Sequence, residues 1–472
     1  MNNRTRPASG GQTIEVIDPS SGESLGTLAR GTAADIDSAV CAARAAYEKV
    51  WRATSALERS RILYRWSQIV ADHAEELARL ECLDTGKPMR QARGDATALA
   101  RYFEFYAGAA DKLHGQTIPY QEGYTVLTIR EPHGVTGHIV PWNYPMQIFG
   151  RSVGAALAAG NACVVKPAED ACLSLLRAAE LAAEAGLPEG VLNIVTGLGT
   201  EAGAALAAHP GIDHVSFTGS TATGTLVAQA AAAHHCPVTL ELGGKSPQLV
   251  FADADLEAAL PVLVGAIIQN GGQTCSAGSR VLVEKSIAAE VTRQLAQRFS
   301  ALVAGPGLQD LDLGPLISAR QHQRVALLLE DGLATGARVA AEGSIAAQAP
   351  AGGFYQKPVL LAELPSEHRL ITEEVFGPVL AVQSFQDEAE AVSLANATPY
   401  GLVAGVWTRD GGRQLRLARR IQSGQVFINN YGAGGGVELP FGGVKHSGYG
   451  REKGFEALYG FTCLKTVAIH HG

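Results

Sequence analysis

The stretch VTGHIVPWNYPMQIFGRSVGAALAAGNACVV, from Val135 to Val165, contains one complete strand–helix–strand unit. VTGHIV and NACVV are short runs of the kind that forms strands, and GRSVGAALAAG between them has the spacing of an amphipathic helix. The alternation continues through LSLLRAAELAAEAG to VTLEL, which ends at Leu242. Repeated strand–helix units of this length predict a parallel sheet covered by helices, with ligands bound beyond the carboxyl ends of the strands.

Two further parts of the chain flank this series. A second strand–helix block runs from about Lys245 to Gly442. TIPYQEGYTVLTIR, between Gln116 and Arg130, predicts a β-hairpin inserted before the first block, and the tail FTCLKTVAI predicts a strand with no partner nearby in the sequence. Because a hairpin and a tail strand left over from two compact domains commonly pair across subunits, we expect a homo-oligomer.

The composition excludes several classes of protein. The chain has 472 residues, of which 46% are hydrophobic, and its net charge of −8 argues against a general nucleic-acid binder. The apolar run ALPVLVGAII is about half the length of a membrane span, and the first residues lack the apolar stretch of a signal peptide. The seven cysteines have neither disulfide-like nor zinc-like spacing. We therefore expect a cytoplasmic protein without a metal site, a membrane partner or a nucleic-acid partner.

One cysteine differs from the others because it lies in GGQTCSAGSR, from Gly271 to Arg280. This run of glycines and hydroxyl residues suits neither a helix nor a strand, and it offers backbone N–H groups that could hold an oxyanion. A free thiol has a pKa of about 8.5, so only a few per cent is thiolate at neutral pH unless the thiol is activated. Cys275 is therefore a candidate nucleophile. The alternative is a small buried apolar side chain, which we expect of the other cysteines.

Four short motifs follow predicted strands, and each has an ordinary alternative. ELGGKSP places Glu241 at a strand end, either as a surface charge or as a base directed into a crevice. PWNYP places Asn143 where its amide could donate to an oxyanion. FTGSTATG, from Phe217 to Gly224, suits a pyrophosphate at a helix start, although it lacks the GxGxxG spacing. KPAE places Lys166 and Glu169 either at ribose hydroxyls or in a surface charge pair.

Together with GGQTCSAGSR, EEVFGPV and PFGGVKHSGYGRE, these motifs occur in one order over nearly the whole chain. Because of these motifs and their order, the chain resembles the aldehyde dehydrogenase superfamily, whose members depend on NAD(P) and use a cysteine as nucleophile. The resemblance implies an α/β fold with a Rossmann-like cofactor domain, an α/β catalytic domain and a small β oligomerisation element. We place the NAD-binding domain at residues 1–113 and 132–243, the catalytic domain at 244–442, and the oligomerisation element at 114–131 and 455–472. The expected assembly is a homodimer or homotetramer.

The resemblance also implies a mechanism on a small-molecule aldehyde. Cys275 matches the nucleophile that forms a thiohemiacetal, whose oxyanion would be held by Asn143 and by the backbone N–H of Cys275. Hydride transfer to the nicotinamide would leave a thioester, and Glu241 matches the base that activates water to hydrolyse it. The loop glycines would let the cofactor, the substrate and water approach the thiol. Glu452 matches a carboxylate linked in some relatives to proton release; the alternative is an ion pair with the basic residue on either side of it.

Further matches indicate the cofactor site. The positions that match cofactor-binding residues are Trp142, Lys166, Glu169, Gly219, Ser220, Gly224, Leu242, Glu374 and Phe376. Among them Glu169 bears on the choice of cofactor, because a carboxylate at the ribose 2′-OH accepts its hydrogen bond but repels a 2′-phosphate. We expect NAD to be preferred over NADP, although Lys166 offsets part of that repulsion.

The expected walls of the substrate pocket are Tyr144, Arg151, Tyr431 and Phe441. At the position of Arg151, many relatives have the tryptophan of a cation-binding aromatic box. Succinate-semialdehyde dehydrogenases resemble this chain in having an arginine at that position. It suggests an aldehyde with a carboxylate or polar tail, although Gln269 stands where those relatives tend to have a second arginine. Alternatively, Arg151 pairs with an acidic residue at the tunnel mouth. The bare loop GAGGGVE, from Gly432, would then admit a bulky aromatic or neutral aliphatic aldehyde.

Three other functions compete with aldehyde oxidation. A CoA-acylating enzyme generally lacks the glutamate that Glu241 matches. A non-catalytic paralogue has no need to retain Cys275 with its expected partners. A cysteine hydrolase without a cofactor would leave the cofactor-like motifs unexplained.

Overall fold

A computed structural model describes residues 4–362, 364–432 and 436–472 of the chain. The strands are β1 (Thr13–Ile17), β2 (Ser24–Ala29), β3 (Gln116–Ile118), β4 (Tyr124–Pro132), β5 (Val135–Val140), β6 (Ala162–Pro167), β7 (Leu192–Ile194), β8 (His214–Thr218), β9 (Val238–Glu241), β10 (Pro247–Val250), β11 (Arg280–Glu284), β12 (Val303–Ala304), β13 (Arg338–Glu342), β14 (Ser344–Ile345), β15 (Val359–Ala362), β16 (Val379–Phe385), β17 (Val403–Trp407), β18 (Gln425–Ile428), β19 (Gly448–Tyr449) and β20 (Thr462–His470). The helices are α1 (Ala33–Lys49), α2 (Ala56–Asp72), α3 (Ala74–Thr85), α4 (Met89–Ala109), α5 (Pro145–Ala159), α6 (Leu173–Glu184), α7 (Ala204–Ala207), α8 (Thr221–Ala232), α9 (Leu256–Ile268), α10 (Ala288–Ser300), α11 (Ala319–Ala334), α12 (Arg369–Thr372), α13 (Glu388–Asn396), α14 (Gly411–Arg420) and α15 (Glu456–Gly460). Strands and helices alternate along most of the chain, which confirms the α/β class.

The strand–helix series that starts at Val135 forms a six-stranded sheet in the order β19–β9–β8–β5–β6–β7. The strands β5 to β9 are parallel to their neighbours, and β19 adds an antiparallel edge. The predicted parallel sheet is therefore confirmed. Because parallel strands end at the same edge, the residues that follow β5, β6, β8 and β9 are brought together there.

Helix α5, which directly follows β5, is buried over almost its whole length. It begins with Pro145, whose fixed φ and missing N–H suit the first turn of a helix. A Cβ on Gly150 or Gly154 would lie 3.0 Å from the ring of Tyr102 or Tyr106 on α4, so these glycines let the two helices pack closely. Although its surroundings are mostly apolar, α5 also has one charged side chain, that of Arg151, buried in the interior.

The second strand–helix block forms a seven-stranded sheet in the order β13–β15–β16–β11–β10–β17–β18. Five of its neighbouring pairs are parallel, and only the edge strand β13 is antiparallel to its neighbour. The candidate cysteine lies between α9 and β11, and β11 pairs with two neighbours within this sheet. The thiol is thus attached to a different sheet from Glu241 and Asn143.

The hairpin and the tail strand form a small third sheet in the order β20–β4–β3. The register runs from Thr462 opposite Pro132 to His470 opposite Tyr124, so the two long strands are antiparallel along nine residues. The partner that the sequence did not reveal for the tail strand is therefore the hairpin of the same chain. The three sheets fit a chain of three parts, but the domain boundaries given above stay a prediction.

Apolar side chains fill the space between each large sheet and its helices. Within the described ranges, no helix combines the length and the apolar run needed to cross a membrane. The same residues contain no group of three or more His, Cys, Asp or Glu side chains arranged to hold a metal ion.

Candidate active site

The carboxyl edge of the six-stranded sheet brings the predicted site segments together. Asn143 follows β5, Lys166 is the last residue but one of β6, Gly219 follows β8, and Glu241 ends β9. The backbone N–H of Gly219 donates to the carbonyl of Glu241 at 3.0 Å. Motifs that are far apart in the sequence thus meet at the edge where parallel sheets bind ligands.

The loop that carries the candidate nucleophile reverses sharply after α9. Asn270, Gly271 and Gly272 have φ values of 49°, 62° and 75°, in the left-handed region that favours glycine. A Cβ on Gly272 would collide with the backbone of Gly377. Close packing of two backbone segments therefore explains this glycine, without the ligand access that was predicted for the loop glycines.

Cys275 is half-buried and lines a cavity of about 1030 Å³. Burial raises the pKa of its thiol to about 12, because it disfavours the thiolate, and the positive charge of Arg151 opposes this effect. The thiol is therefore protonated at neutral pH in the free protein. Nucleophilic attack through this sulfur requires that the proton be removed.

Asn143 lines the same cavity and is hydrogen-bonded to the cysteine loop. Its Nδ2 donates to the backbone carbonyl of Gln273 at 3.0 Å, and the backbone carbonyl of Asn143 accepts from Nδ2 of Asn270 at 2.8 Å. A side-chain amide has two N–H donors, so one donor remains after the bond to Gln273. These bonds hold the amide beside the loop of Cys275, where an oxyanion would form.

Glu241 is buried at the end of β9, and neither of its carboxyl oxygens has a hydrogen-bond partner among the described residues. Burial raises the pKa of this carboxyl well above its ordinary value, partly opposed by the charge of Arg151. A Cβ on Gly442 would lie 2.7 Å from Oε1, so this glycine leaves room for the carboxyl. Glu241 does not line the cavity of Cys275, so a water molecule or a rotation of its side chain has to connect the two.

Arg151 forms a buried ion pair with Glu452, through its Nε and a carboxylate oxygen. Its Nη2 also donates to Oγ1 of Thr218 at 3.2 Å, and Oγ of Ser216 donates to Glu452 at 2.6 Å. Burial disfavours the charged guanidinium, but Glu452, Glu241 and further neighbours together outweigh that effect and raise the pKa of Arg151. Glu452 thus pairs with Arg151, and neither of its basic neighbours in the sequence forms the expected ion pair with it in the described structure.

Arg151 lines the cavity, but its charge is already balanced by an acidic residue. That residue is fully buried and does not lie at the tunnel mouth. The geometry therefore favours the alternative in which Arg151 pairs within the protein, and it weighs against Arg151 as the anchor for a substrate carboxylate.

At the end of β6, Lys166 forms an ion pair with Glu169 at 2.9 Å. Lys166 is buried and Glu169 is partly exposed. Burial of Glu169 favours its neutral form, yet the neighbouring Lys166 holds the pKa of that carboxyl below its usual value. The pair therefore presents an ionised carboxylate at the sheet edge, which suits ribose hydroxyls.

The turn between β8 and α8 has the shape of a phosphate-binding turn. Ser220 caps α8, and its hydroxyl accepts from the backbone N–H of Thr223 at 3.2 Å. Gly219 stands directly before the cap, and a Cβ on Gly224 would lie 2.5 Å from Leu242. The first turn of this 12-residue helix can therefore approach the strand ends closely, and its N–H groups offer a place where an anion could bind.

Glu374 approaches the same edge from the seven-stranded half of the chain. Its Oε1 accepts from the backbone N–H of Gly244 at 3.0 Å, and a Cβ on Gly243 would collide with its carboxyl. Burial raises its pKa to about 7, partly opposed by that hydrogen bond. Phe376 has a left-handed φ of 58°, and its ring packs edge-on against Trp142 with 5.3 Å between centroids.

The predicted aromatic walls are attached to the residues on either side of the thiol. The hydroxyls of Tyr144 and Thr274 are 3.0 Å apart, and the hydroxyl of Tyr431 donates to the carbonyl of Ser276. Tyr144, Thr274, Ser276 and Tyr431 all line the cavity, together with Phe441. The walls therefore help to fix the loop of the nucleophile as well as shape the space before it.

A buried cluster behind Tyr144 was missed by the sequence analysis. Lys87 Nζ lies 2.6 Å from Glu81 and also pairs with Asp95, and it lies 4.5 Å from the centroid of the Tyr144 ring. Burial raises the pKa of Glu81 to about 8. These residues come from α3, the following turn and α4, so no local sequence signal marks them as one cluster.

The more exposed part of the cavity is lined by charges that were also unassigned. Arg101 Nη2 lies 2.5 Å from Glu438 Oε1, and Lys453 lines the same cavity. The only sequence signal for Lys453 was its position directly after Glu452. Of the bare loop predicted to widen the entrance, residues 433–435 lie outside the described residues.

Comparisons with known proteins agree on one family. The sequence model of the "Aldehyde dehydrogenase family" matches residues 6–467. A hydroxyisobutyraldehyde dehydrogenase from Mycolicibacterium austroafricanum is 42% identical over 100% of this chain and 93% of its own length. A solved Burkholderia cenocepacia protein with a provisional aldehyde dehydrogenase name has a TM-score of 1.00 and 70% identity, covering 100% of this chain and 99% of its own. An NAD+ complex of a Bacillus cereus aldehyde dehydrogenase has a TM-score of 0.96 and 41% identity, covering 100% and 96%.

Proposed function

The chain belongs to the aldehyde dehydrogenase family of NAD(P)-dependent oxidoreductases, and from that premise we propose that it oxidises its aldehyde through a thioester on Cys275. The observation that carries this proposal is the shared cavity of Cys275 and Asn143. It lies beside the sheet edge at which Glu241 and the cofactor-binding candidates meet. Nucleophile, oxyanion donor and base are thus available at one place.

The first step is attack of the Cys275 sulfur on the aldehyde carbon. The thiol has a pKa of about 12, so it has to lose its proton as the bond forms. Glu241 can accept that proton through a water molecule, because a carboxyl with a raised pKa is a stronger base than an ordinary one. Once Glu241 has passed this proton on to solvent, the regenerated carboxylate activates the water that hydrolyses the thioester.

Asn143 stabilises the negative charge that develops on the aldehyde oxygen. One of its amide hydrogens is used by Gln273, and the other is available to the oxyanion. The backbone N–H of Cys275 supplies the second donor. Loss of one oxyanion donor typically costs about 3–4 kcal/mol of transition-state stabilisation.

The residues at the sheet edge fit a dinucleotide. The capped start of α8 suits the pyrophosphate, the pair of Lys166 and Glu169 suits the adenosine ribose, and Glu374 with Phe376 suits the nicotinamide end. When bound, NAD supplies the acceptor for the hydride that leaves the thiohemiacetal carbon. The ring of Trp142, in the segment after β5, packs on Phe376 and so keeps that segment in contact with the nicotinamide end of the site.

The preference for NAD over NADP rests on Glu169. Its pKa is held below the usual value by Lys166, although burial acts in the opposite direction, so it is ionised at neutral pH. An ionised carboxylate accepts a hydrogen bond from the ribose 2′-OH and repels a 2′-phosphate. Because Lys166 is already paired with Glu169, it offers little compensation to that phosphate.

We also propose an assembly of identical subunits, as a homodimer or homotetramer. The support is the small third sheet, in which β20 is an edge strand with exposed apolar side chains at Leu464 and Ile469. An edge strand of this kind is a ready partner for a second chain.

The test measures NADH formation by absorbance on a panel of aldehydes, with NAD and NADP in parallel. We expect the wild-type protein to form NADH, and Cys275→Ser to lose this activity. The Cys463→Ser variant, which changes an exposed cysteine, is the matched control and should stay active. Activity that survives in Cys275→Ser would exclude the proposed nucleophile, and absence of NADH formation with every aldehyde would exclude the proposed reaction.

A further inference from the structure

The buried cluster of Glu81, Lys87 and Asp95, called the Lys87 cluster below, lies behind Tyr144. Its three side chains are almost completely buried, and Lys87 Nζ lies 2.6 Å from Glu81 Oε1 and also pairs with Asp95. Burial disfavours the ammonium, but Asp95, Glu81 and further neighbours together outweigh that effect and raise the pKa of Lys87. Lys87 therefore keeps its positive charge in the interior. It does not line the cavity of the candidate nucleophile, so it does not contact a substrate there.

The Lys87 cluster is bound to the first turn of α5. Glu81 Oε2 accepts from the backbone N–H of Met146 at 3.2 Å, and Asp95 Oδ1 accepts from Nε2 of Gln147 at 2.5 Å. The first N–H groups of a helix have no partner within it, so a carboxyl group at this end is a favourable anchor. Since α5 begins two residues after Asn143, these bonds fix the chain on one side of the candidate oxyanion donor.

Lys87 itself contacts Tyr144, which stands between Asn143 and α5. Its ammonium nitrogen lies 4.5 Å from the centroid of the Tyr144 ring, a distance at which a cation is attracted to an aromatic face. The hydroxyl of Tyr144 is 3.0 Å from Oγ1 of Thr274, the residue before the candidate nucleophile. Asn143 in turn donates to the backbone carbonyl of Gln273. Two adjacent residues of one segment are thus bound to two adjacent residues of the other.

The Lys87 cluster also joins α3 to α4, but that role does not account for all of its contacts. A buried ion pair is a poor means of stabilising a fold, because the desolvation of the charges offsets much of their attraction. Joining α3 to α4 also leaves unexplained why the ammonium lies against Tyr144, which belongs to neither helix. The contacts with Tyr144, Met146 and Gln147 all reach one segment, the one that begins with Asn143. They indicate that the cluster positions this segment.

From these contacts we propose that Lys87 is a positioning residue for aldehyde oxidation. Through the ring of Tyr144 it sets the segment of Asn143 against the loop of Cys275. It thereby fixes the distance between the amide that holds the oxyanion and the sulfur that attacks the aldehyde. The inference rests on the proposed aldehyde oxidation and assigns to Lys87 no contact with the substrate or with the reacting atoms.

The test measures NADH formation in a single turnover at saturating NAD, which reports the chemical steps without product release. The wild-type protein is compared with Lys87→Met, which removes the ammonium and keeps an unbranched side chain. We expect the rate at saturating aldehyde to fall about 10- to 100-fold, because a misplaced oxyanion donor loses much of its effect. The aldehyde concentration that gives half of this rate should stay near the wild-type value. A change in that concentration alone, with the saturating rate unchanged, would overturn the inference.

Ile36→Ala is the control for a loss of stability alone, because Ile36 is fully buried on α1, a helix that packs on β5, β6 and β7. This substitution should lower the urea midpoint of unfolding and leave the rate of the folded protein near the wild-type value. An equal loss of rate in Lys87→Met and Ile36→Ala would overturn the inference.

Tyr144→Phe keeps the ring over Lys87 and removes only the hydroxyl that is bound to Thr274. We expect its saturating rate to fall about 3- to 10-fold, the value of one hydrogen bond. An unchanged rate would overturn the inference whether or not Lys87→Met folds. In each of these negative results the wild-type protein still oxidises its aldehyde, so the proposed function stands. Failure of the wild-type protein to oxidise any aldehyde would overturn both proposals.

Discussion

Arg151 shows how one buried charge determines the arrangement of its surroundings. A guanidinium in the interior is costly unless an opposite charge and hydrogen-bond partners are fixed beside it. Here Glu452 supplies the charge and Thr218 a hydroxyl, while Ser216 binds the other carboxylate oxygen. The network joins α5, which begins just after Asn143, to β8 and to the segment that follows β19. Both β8 and β19 pair with β9 at Glu241, so the network supports the surroundings of two catalytic candidates.

Removal of Arg151 should therefore destabilise the protein strongly. Arg151→Ala leaves Glu452 buried without its counter-charge, and we expect the free energy of unfolding to fall by about 3–5 kcal/mol. Urea unfolding measures the change. Arg52→Ala, which breaks an exposed pair with Glu48, is the control and should cost about 0–1 kcal/mol. Equal effects of the two substitutions would contradict the importance of the buried pair.

The raised pKa of Cys275 predicts how its reactivity depends on pH. With a thiol pKa of about 12, the thiolate fraction rises with pH across the whole neutral and mildly alkaline range. Inactivation by iodoacetamide should therefore accelerate about tenfold per pH unit from about pH 7 to about pH 10, without a plateau. Mass spectrometry of the alkylated protein assigns the modification to Cys275, with Cys275→Ser as control. A plateau near neutral pH would mean that a neighbouring group already stabilises the thiolate.

At the scale of elements, the strands and helices with regular hydrophobic periodicity could be predicted from the sequence. GRSVGAALAA lies within α5, the glycine after it caps the helix, and VTGHIV coincides with β5. These elements are determined by local periodicity, and the parallel sheet follows from their alternation. Asn143 and Glu241 could be placed at strand ends for the same reason, because the motifs directly follow apolar runs.

Contacts between distant segments could not be predicted in this way. Nothing near Glu452 indicates that its partner is Arg151, and the tail strand gave no sign of its pairing with the hairpin. The collision that a Cβ on Gly272 would make with Gly377 likewise depends on two loops that meet only in the folded chain.

At the scale of the whole molecule, the site depends on both large sheets. Cys275 precedes β11 of the seven-stranded sheet, whereas Asn143 follows β5 and Glu241 ends β9 of the six-stranded sheet. The hydrogen bond from Nδ2 of Asn143 to the carbonyl of Gln273 crosses between these halves. The geometry of the candidate site therefore depends on how the two halves pack.

The third sheet belongs to neither half, and its outer strand predicts how subunits associate. Leu464 on β20 is 57% exposed on a nine-residue edge strand, an arrangement that monomers avoid. We expect Leu464→Glu to shift the protein toward smaller species in light scattering coupled to size exclusion, because a charge would be buried in the interface. Leu415→Glu, at a 71% exposed leucine on α14, is the control and should leave the assembly intact. A wild-type protein that is already monomeric, or an assembly that Leu464→Glu does not weaken, would show that β20 is not the contact between subunits.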